Sequence, residues 1–368
     1  MRSFVTREKL KVIDLFCGCG GFSYGFQQGG FEVVFGVDIW ADATKTFAHN
    51  FPNAHTLTED ILDINAEFIL DKANLAEAEV DVIIGGPPCQ GFSVSGKRMI
   101  DDPRNALYKA FVNIVDEIRP KIFIMENVPG IMRLYGGRIK DEVLTDFATL
   151  GYNMDLRLLS SENYGVPQRR KRVFFAGINT DRIKNTLLFP FPEGSFGEGK
   201  ENVITCEDAI SDLDFLPIDR ALGEEIEYVI PALNDYQKLM RLESKMIKNH
   251  SITIHKERTR DIISLVPDGG NYKNLPKHLQ GTRKVNIAWT RMNSKKPCFT
   301  IDTGHNHHFH YKENRVPTVR ESARIQSFTD VFEFIGIKTS QLKQVGNAVP
   351  PLVACALAKA CEEVIRKG

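Results

Sequence analysis

Between residue 11 and about 180, apolar runs of strand length alternate with longer amphipathic stretches, and this alternation restricts the fold more than any other feature of the chain. "KVIDLF" (11–16), "EVVFGVD" (32–38), "VDVIIGG" (80–86), "KIFIMENV" (121–128) and "RVFFAGI" (172–178) read as buried strands. "ADATKTFAHNF", "ALYKAFVNIVDEI" and "IKDEVLTDFATLG" carry their apolar residues at helical spacing. Strand and helix in turn predict an α/β fold, a mostly parallel sheet with helices on both faces. The alternation stops after residue 185. "FPFPEGSFGEGKEN" is rich in Gly, Pro and acid and reads as a linker or domain edge. Short basic segments without clear periodicity follow to about 312. The last 19 residues, "PPLVACALAKACEEVIRKG", return to an amphipathic helix opened by prolines.

With 368 residues, 42% hydrophobic and 26% charged, the chain has room for one large domain or a large and a small one. No apolar stretch approaches the length of a membrane span, and "MRSFVTREKLKVIDLF" lacks a signal-peptide core. The seven cysteines are an odd number with no paired zinc spacing. They fit reduced thiols, so a cytoplasmic protein with no membrane partner and no bound metal is expected. Net charge is zero, but the charge is unevenly placed: residues 186–230 hold 2 Lys/Arg against 11 Asp/Glu, and residues 231–320 hold 17 against 7. A neutral chain can still present a basic face to a polyanion. A merely solvated charged surface fits that distribution equally well.

"DLFCGCGGFSYGF" (14–26) follows the first strand and opens a helix. Gly18, Gly20 and Gly21 allow a tight turn and close approach to a ligand. Asp38 ends the next strand, where a ribose-binding carboxylate would lie. The spacing is not G-x-G-x-x-G, so a nucleoside cofactor such as S-adenosylmethionine suits it better than a dinucleotide. A glycine-rich turn of purely structural use is the alternative. Cys17 and Cys19, spaced C-x-C, supply too few ligands for a metal and read as small residues beside the turn.

In "DVIIGGPPCQGFS" (81–93) the apolar run ends in Gly-Gly-Pro-Pro and then presents Cys89. Two prolines fix φ and hold the cysteine rigidly at a strand's end, as a nucleophile requires; a tight structural turn would look the same. A thiol at pKa ~8.5 is only slightly ionised at neutral pH and needs partners. Glu126 ends the next strong strand in "ENV", and "YGVPQRRKR" (164–172) concentrates positive charge. Ligands of open α/β sheets bind at the carboxyl ends of strands, where these stretches converge.

Taken together these residues resemble the cytosine-C5 DNA methyltransferases, of the bacterial restriction–modification type. The resemblance rests on "DLFCGCGGF", "EDI" (59–61), "GGPPCQGFSVSGKR" (85–98), "MENV", "NYGVPQRRKR", "RVPTVRESARIQSF" (315–328) and "QVGNAVPP" (344–351), in the family's order. Pro317 stands where the family usually has Leu, and "SFTD" replaces "GFPD". The resemblance implies an S-adenosylmethionine-dependent (Rossmann-like) methyltransferase sheet plus a smaller irregular target-recognition domain. Its boundaries would be a catalytic and cofactor domain at 1–187, recognition domain and hinge at 188–335, and a segment at 336–368 returning to the catalytic domain.

The implied reaction flips a cytosine out of duplex DNA, at a cost of a few kcal/mol. Cys89 would attack C6, Glu126 would hydrogen-bond or protonate N3, and Arg172, with Arg170, would sit at O2. The methyl of S-adenosylmethionine would pass to C5, and loss of the C5 proton would release the enzyme. Glu126 would then have to hold or share a proton at neutral pH, which burial could arrange. Cofactor contacts implied by the resemblance are Phe16, Gly18, Gly20, Gly21, Asp38, Ile39, Asp60, Ile61, Pro87, Leu107 and Asn347. Residues 90–104 match the family's mobile loop, giving Gln90, Ser93, Ser95, Lys97 and Arg98 as DNA contacts. Base readers are expected on loops such as "DGGNYKNLPKHLQGTRK" and "WTRMNS", with Arg291 among them.

Double-stranded DNA is therefore the expected partner. A cognate endonuclease would act on the same site without a stable complex, and one active site per chain makes a monomer the expectation. Two alternatives remain at this level. A tRNA-cytosine methyltransferase would carry a Cys-Phe-Thr stretch, and "KPCFTIDTG" has one at Cys298. A DNA-binding module that has lost catalysis is the other, against which stand the intact Cys89, Glu126 and Arg172. "HNHHFH" (305–310) lacks framing acids or cysteines and reads as a DNA contact or a cap of the small domain.

Overall fold

The computed structural model describes residues 8–88, 106–185, 188–214, 225–280, 289–302 and 308–368. They divide into two compact units. The first comprises the described residues up to Leu159, with Lys171–Glu193 and Val353–Gly368. Its strands are β1 (Lys11–Leu15), β2 (Glu32–Asp38), β3 (His55–Thr58), β4 (Val82–Gly85), β5 (Ile122–Asn127), β6 (Tyr152–Ser160) and β8 (Lys171–Asn179), joined in the order β3-β2-β1-β4-β5-β8-β6. β1 to β5 pair in parallel, and β8 runs antiparallel to β5. Each strand expected from the sequence is present. β3 and β6 were not foreseen: both lie at the sheet's edges and neither is a continuous apolar run.

Side chains alternate across the strands, so each strand serves two cores. Ile13, Leu15, Phe35, Val37, Ile83, Phe123 and Met125 face one side. There they pack against α3 (Ala66–Ala73), α4 (Ala106–Ile118) and α5 (Arg138–Thr149). Each large apolar side chain buried there contributes about 1.5–3 kcal/mol. The intervening residues face α1 (Gly21–Gln28) and α2 (Ala41–Asn50): Asp14 accepts a hydrogen bond from Ser23, and Phe22 meets Phe174 edge-on at 6.1 Å. A Cβ on Gly36 would lie 2.4 Å from Phe47, and one on Gly29 2.5 Å from Ala358 of the C-terminal helix Pro351–Lys367. Helices therefore cover both faces, as the alternation predicted.

The second unit comprises Ser160–Arg170 and Gly194–Leu352. The division differs from the sequence expectation at three places, the first being residues 188–193, which belong to the first unit. Residues 160–170 join the second unit because β7 (Gln168–Arg169) pairs with Cys298–Phe299, and the Gln168 side chain bonds to Gln326 and to the Ile301 amide. The helix Lys338–Asn347 also belongs there, packing against the helix Val319–Ile325, so only residues from Val353 return to the first unit.

"PTVRE" builds a capping box: Thr318 Oγ1 accepts from the Glu321 amide, and Glu321 accepts from the Thr318 amide at 2.7 Å. Glu321 also receives a two-pronged bond from Arg315, at 2.8 and 2.6 Å. Burial works to raise the Glu321 carboxyl, but Arg315 holds it well below the usual carboxylate range. Arg324 bridges Asp212 (2.5 Å) and Asp330 (2.6 Å) with every partner fully buried. Removing one member of such a network leaves uncompensated buried charge. Arg324→Met should therefore lower unfolding free energy by about 3–5 kcal/mol, seen as a shifted urea midpoint. A shift within error would show the network to be energetically neutral.

Two buried histidines pack around the same cap. His250 Nδ1 lies 2.8 Å from Thr318 Oγ1, and His310 Nδ1 accepts the amides of Lys312 and Glu313. Burial pushes His250 down to about 4 and His310 to about 3. The unfolded chain binds these protons near pH 6.5 and the folded one does not, so stability falls with pH between about 6.5 and 4. Glu321 faces both rings and Asp214 lies 3.4 Å from His310 Nε2; below pH 4 Glu321 adds to the loss in the same direction. His250→Gln, paired with wild type in melts at pH 7.5 and 5, should reduce the acid loss by several degrees. An unchanged difference would acquit His250.

Candidate active site

Parallel strands place their carboxyl ends on one edge, and the register fixes which residues meet there. Leu15 pairs with Val37 and Gly85, and Gly85 with Met125. The turns after β1, β2, β4 and β5 are therefore neighbours. β8 arrives antiparallel, with Val173 opposite Asn127, so its first residues lie beside the end of β5. That reversal brings Arg172 to Glu126. Arg172 Nε lies 2.8 Å from Glu126 Oε1, and the two side chains keep 18% and 14% of their surface.

The turn after β4 leans on the same carboxylate. A Cβ on Gly86 would stand 3.4 Å from Glu126 Oε2, so the backbone there passes within contact distance of the acid. Asn127 Nδ2 donates to the Pro87 carbonyl at 3.1 Å, while its Oδ1 accepts from the Val128 amide. Asn127 thus ties the Pro-Pro turn to the end of β5. Sequence reasoning assigned it no role, although it stands within "MENV". Cys89, Gln90, Ser93, Ser95, Lys97 and Arg98 lie outside the described residues. Of the described thiols, Cys17, Cys19, Cys206, Cys298 and Cys361 are buried, and burial pushes Cys17, Cys19, Cys298 and Cys361 up, Cys19 to about 12. These four stay protonated at neutral pH and are poor nucleophiles. Cys298, which favoured an RNA substrate, sits in the strand pairing with β7.

Asp38 organises the first turn. Its Oδ2 accepts from the Gly18 amide and its Oδ1 from the Trp40 amide, both at 2.9 Å. Burial raises its carboxyl above the ordinary range. Phe16 and Gly18 hold left-handed φ values of 64° and 53°. Such strain in a non-glycine residue persists only where its surroundings enforce it. Gly20 is obligatory: φ is 96°, and a Cβ would lie 2.4 Å from Phe51. Gly21 begins α1. Beneath the turn Asp14 is fully buried, and burial pushes it up to about 8.

The remaining cofactor candidates lie on several elements. The Glu59 amide donates to the Asp38 carbonyl, bringing Asp60 close; Asp60 caps the Leu62 amide, and Ile61 is buried. Ile39 is 69% exposed at the end of β2, an apolar face open to a planar ring. Pro87 is buried and Leu107 half-buried on α4. Asn347 is exposed at the end of its helix, in the second unit. A carboxylate beside glycine-built space, with an exposed apolar side chain next to it, fits a nucleoside with ribose hydroxyls.

Two arginines depart from their expected placement. Arg170 is 2% exposed and directs Nη1 to the Ile301 carbonyl within the second unit. Arg291 is 4% exposed, with its guanidinium bound to backbone carbonyls and Asn314, so it does not present itself to a DNA groove. Its place in "WTRMNS" suggested a base reader because a cation in a basic loop looks alike whether it points in or out. Arg291, Arg315 and Arg320 are three of the 17 cations in 231–320, so part of that basic excess is structural.

Residues 10–363 match the family described as C-5 cytosine-specific DNA methylase. The chain is 37% identical to the type II methyltransferase M.DdeI of Desulfomicrobium norvegicum, over 95% of this chain and 88% of that protein. It is 36% identical to the type II methyltransferase M1.HphI of Haemophilus parahaemolyticus, over 95% and 86% respectively. A solved structure described as a DNA modification methyltransferase encoded within an E. coli prophage superposes with a TM-score of 0.79 at 30% identity, covering 97% of this chain and all of that one. The S. pombe Dnmt2 methyltransferase shares the fold, with a TM-score of 0.61 at 16% identity over 97% of this chain and 99% of that chain.

Proposed function

Because this chain belongs to the C-5 cytosine-specific DNA methylase family, we propose that the Glu126–Arg172 edge of its sheet methylates one cytosine of a short duplex motif. The chain is a DNA cytosine-C5 methyltransferase. Its relatives named as type II methyltransferases support a modification role that protects DNA from an endonuclease of the same specificity.

Cys89, carried on the Pro-Pro turn that Asn127 ties down, forms the bond to C6 of the flipped base. Addition there makes C5 electron-rich. Glu126 hydrogen-bonds N3 and neutralises the charge that builds on the ring. As the base enters, Arg172 turns to O2, and Glu126 takes up a proton from solvent and shares it with N3. Asp38, Ile39, Asp60 and the Phe16–Gly21 turn would hold S-adenosylmethionine, which when bound would supply the electrophilic methyl group and leave as S-adenosylhomocysteine. Water then takes the C5 proton, and the electron pair left on C5 expels the Cys89 thiolate. Exposed Lys and Arg of the second unit anchor phosphates, and loops around 268–280 read bases.

The single observation that carries this reading is the 2.8 Å Glu126–Arg172 pair beside the turn leading to Cys89. Expressing wild type in a host lacking cytosine methylation, then mapping 5-methylcytosine in plasmid DNA by bisulfite sequencing, tests it. One short motif, methylated at one cytosine, is the expected result. An unmethylated plasmid from soluble protein would overturn it.

A further inference from the structure

Arg291 spends every hydrogen it has inside the second unit. Nε donates to the Val266 carbonyl at 2.7 Å, Nη1 to the carbonyls of His310 and Glu313 at 2.9 and 3.0 Å, and Nη2 to the Ile263 carbonyl and Asn314 Oδ1 at 2.7 and 2.8 Å. A guanidinium has five N–H groups in a fixed fork, and all five are used. The acceptors come from two separate stretches of chain. Ile263 lies in the helix Glu257–Ser264 and Val266 just beyond it. His310, Glu313 and Asn314 form the turn that follows the strand His308–Phe309.

The backbone around Arg291 adds a third stretch. Its amide donates to the Gly270 carbonyl, and the Met292 carbonyl accepts from Gly269, whose φ of 69° suits the tight turn at "DGG". Exposed cations ride on each of these pieces: Arg258 on the helix, Lys273 after the Gly-Gly turn, and Lys312 on the last turn. Five acceptors match the five N–H groups of the guanidinium, and neither an ammonium nor a neutral side chain offers that many donors in one plane.

We infer that Arg291 is a positioning residue for sequence recognition: its guanidinium locks the helix 257–264, the Gly-Gly turn and the 310–314 turn into one rigid reading surface for duplex DNA. This rests on the reading of the second unit as the recognition unit. DNA touches what Arg291 holds. A displacement of about 1 Å in such segments is enough to cost a contact that distinguishes bases.

The test uses the full chain and two variants. Arg291→Lys keeps the charge but loses the fork, and Asn314→Ala removes one acceptor of five on a half-exposed turn. Wild type is first mapped by bisulfite sequencing; kcat and KM for DNA are then measured on the mapped duplex and on duplexes with one altered base pair. For Arg291→Lys we expect the preference for the mapped motif to fall about tenfold and KM to rise, with kcat on the mapped duplex within about threefold. Asn314→Ala should lose about threefold of the preference without a change in melting temperature. Should Arg291→Lys fail to fold, Asn314→Ala decides alone. Wild-type preference in Asn314→Ala or in a folded Arg291→Lys would overturn the inference. Failure of wild type to methylate any motif would instead overturn the recognition reading, before either variant is compared.

Discussion

Cys89→Ser abolishes methylation, with kcat falling at least about 10⁴-fold while the melting temperature stays within a degree or two of wild type. The expectation follows from nucleophilicity. A serine hydroxyl is almost wholly un-ionised at neutral pH, whereas a thiol ionises several units lower and is soft enough to add to C6. Asn127 and the two prolines still hold the turn, so binding of DNA and cofactor should survive. Two measurements check this: turnover on the mapped duplex, and covalent trapping on 5-fluorocytosine DNA. Wild type should give a complex stable in detergent and the variant none. Residual turnover above about one per cent would remove Cys89 from the role assigned to it.

Glu126→Gln should lower kcat by about 10²- to 10⁴-fold and leave DNA affinity within severalfold of wild type. Glutamine keeps the shape and can still hydrogen-bond at N3, but it cannot carry the proton that neutralises the ring as Cys89 adds. It also leaves Arg172 without its 2.8 Å partner in the resting protein. The two side chains keep only 18% and 14% of their surface, so leaving Arg172 without its carboxylate should also lower the melting temperature. Wild-type turnover by Glu126→Gln would place the proton transfer elsewhere.

Much of the first unit was legible because buried parallel strands advertise themselves as unbroken apolar runs. "KVIDLF", "KIFIMENV" and "RVFFAGI" are strands in the structure at nearly the expected bounds. β3 and β6 were not, since at the sheet's edges neither needs an apolar run to be stable. In the second unit, short segments joined by buried charges replace periodic cores. Arg315, Arg320 and Arg324 are each fully buried in a hydrogen-bonded network, which a count of charges along the chain does not reveal. Arg291 was misplaced for the same reason.

What the sequence alone determined is the chemistry and its order along the chain: an α/β sheet, a glycine turn before Asp38, a cysteine after two prolines, and an acid ending the following strand. Those features are local, and local sterics and hydrophobic periodicity specify them. Only the tertiary structure decided which groups meet. Arg172 reaches Glu126 because β8 runs antiparallel to β5, a pairing that no short-range pattern encodes. Residues 160–170 and the helix Lys338–Asn347 join the second unit through contacts with residues far along the chain, beyond the reach of sequence spacing. And whether an arginine faces DNA or carbonyls depends on five acceptors that come together only when the chain has folded.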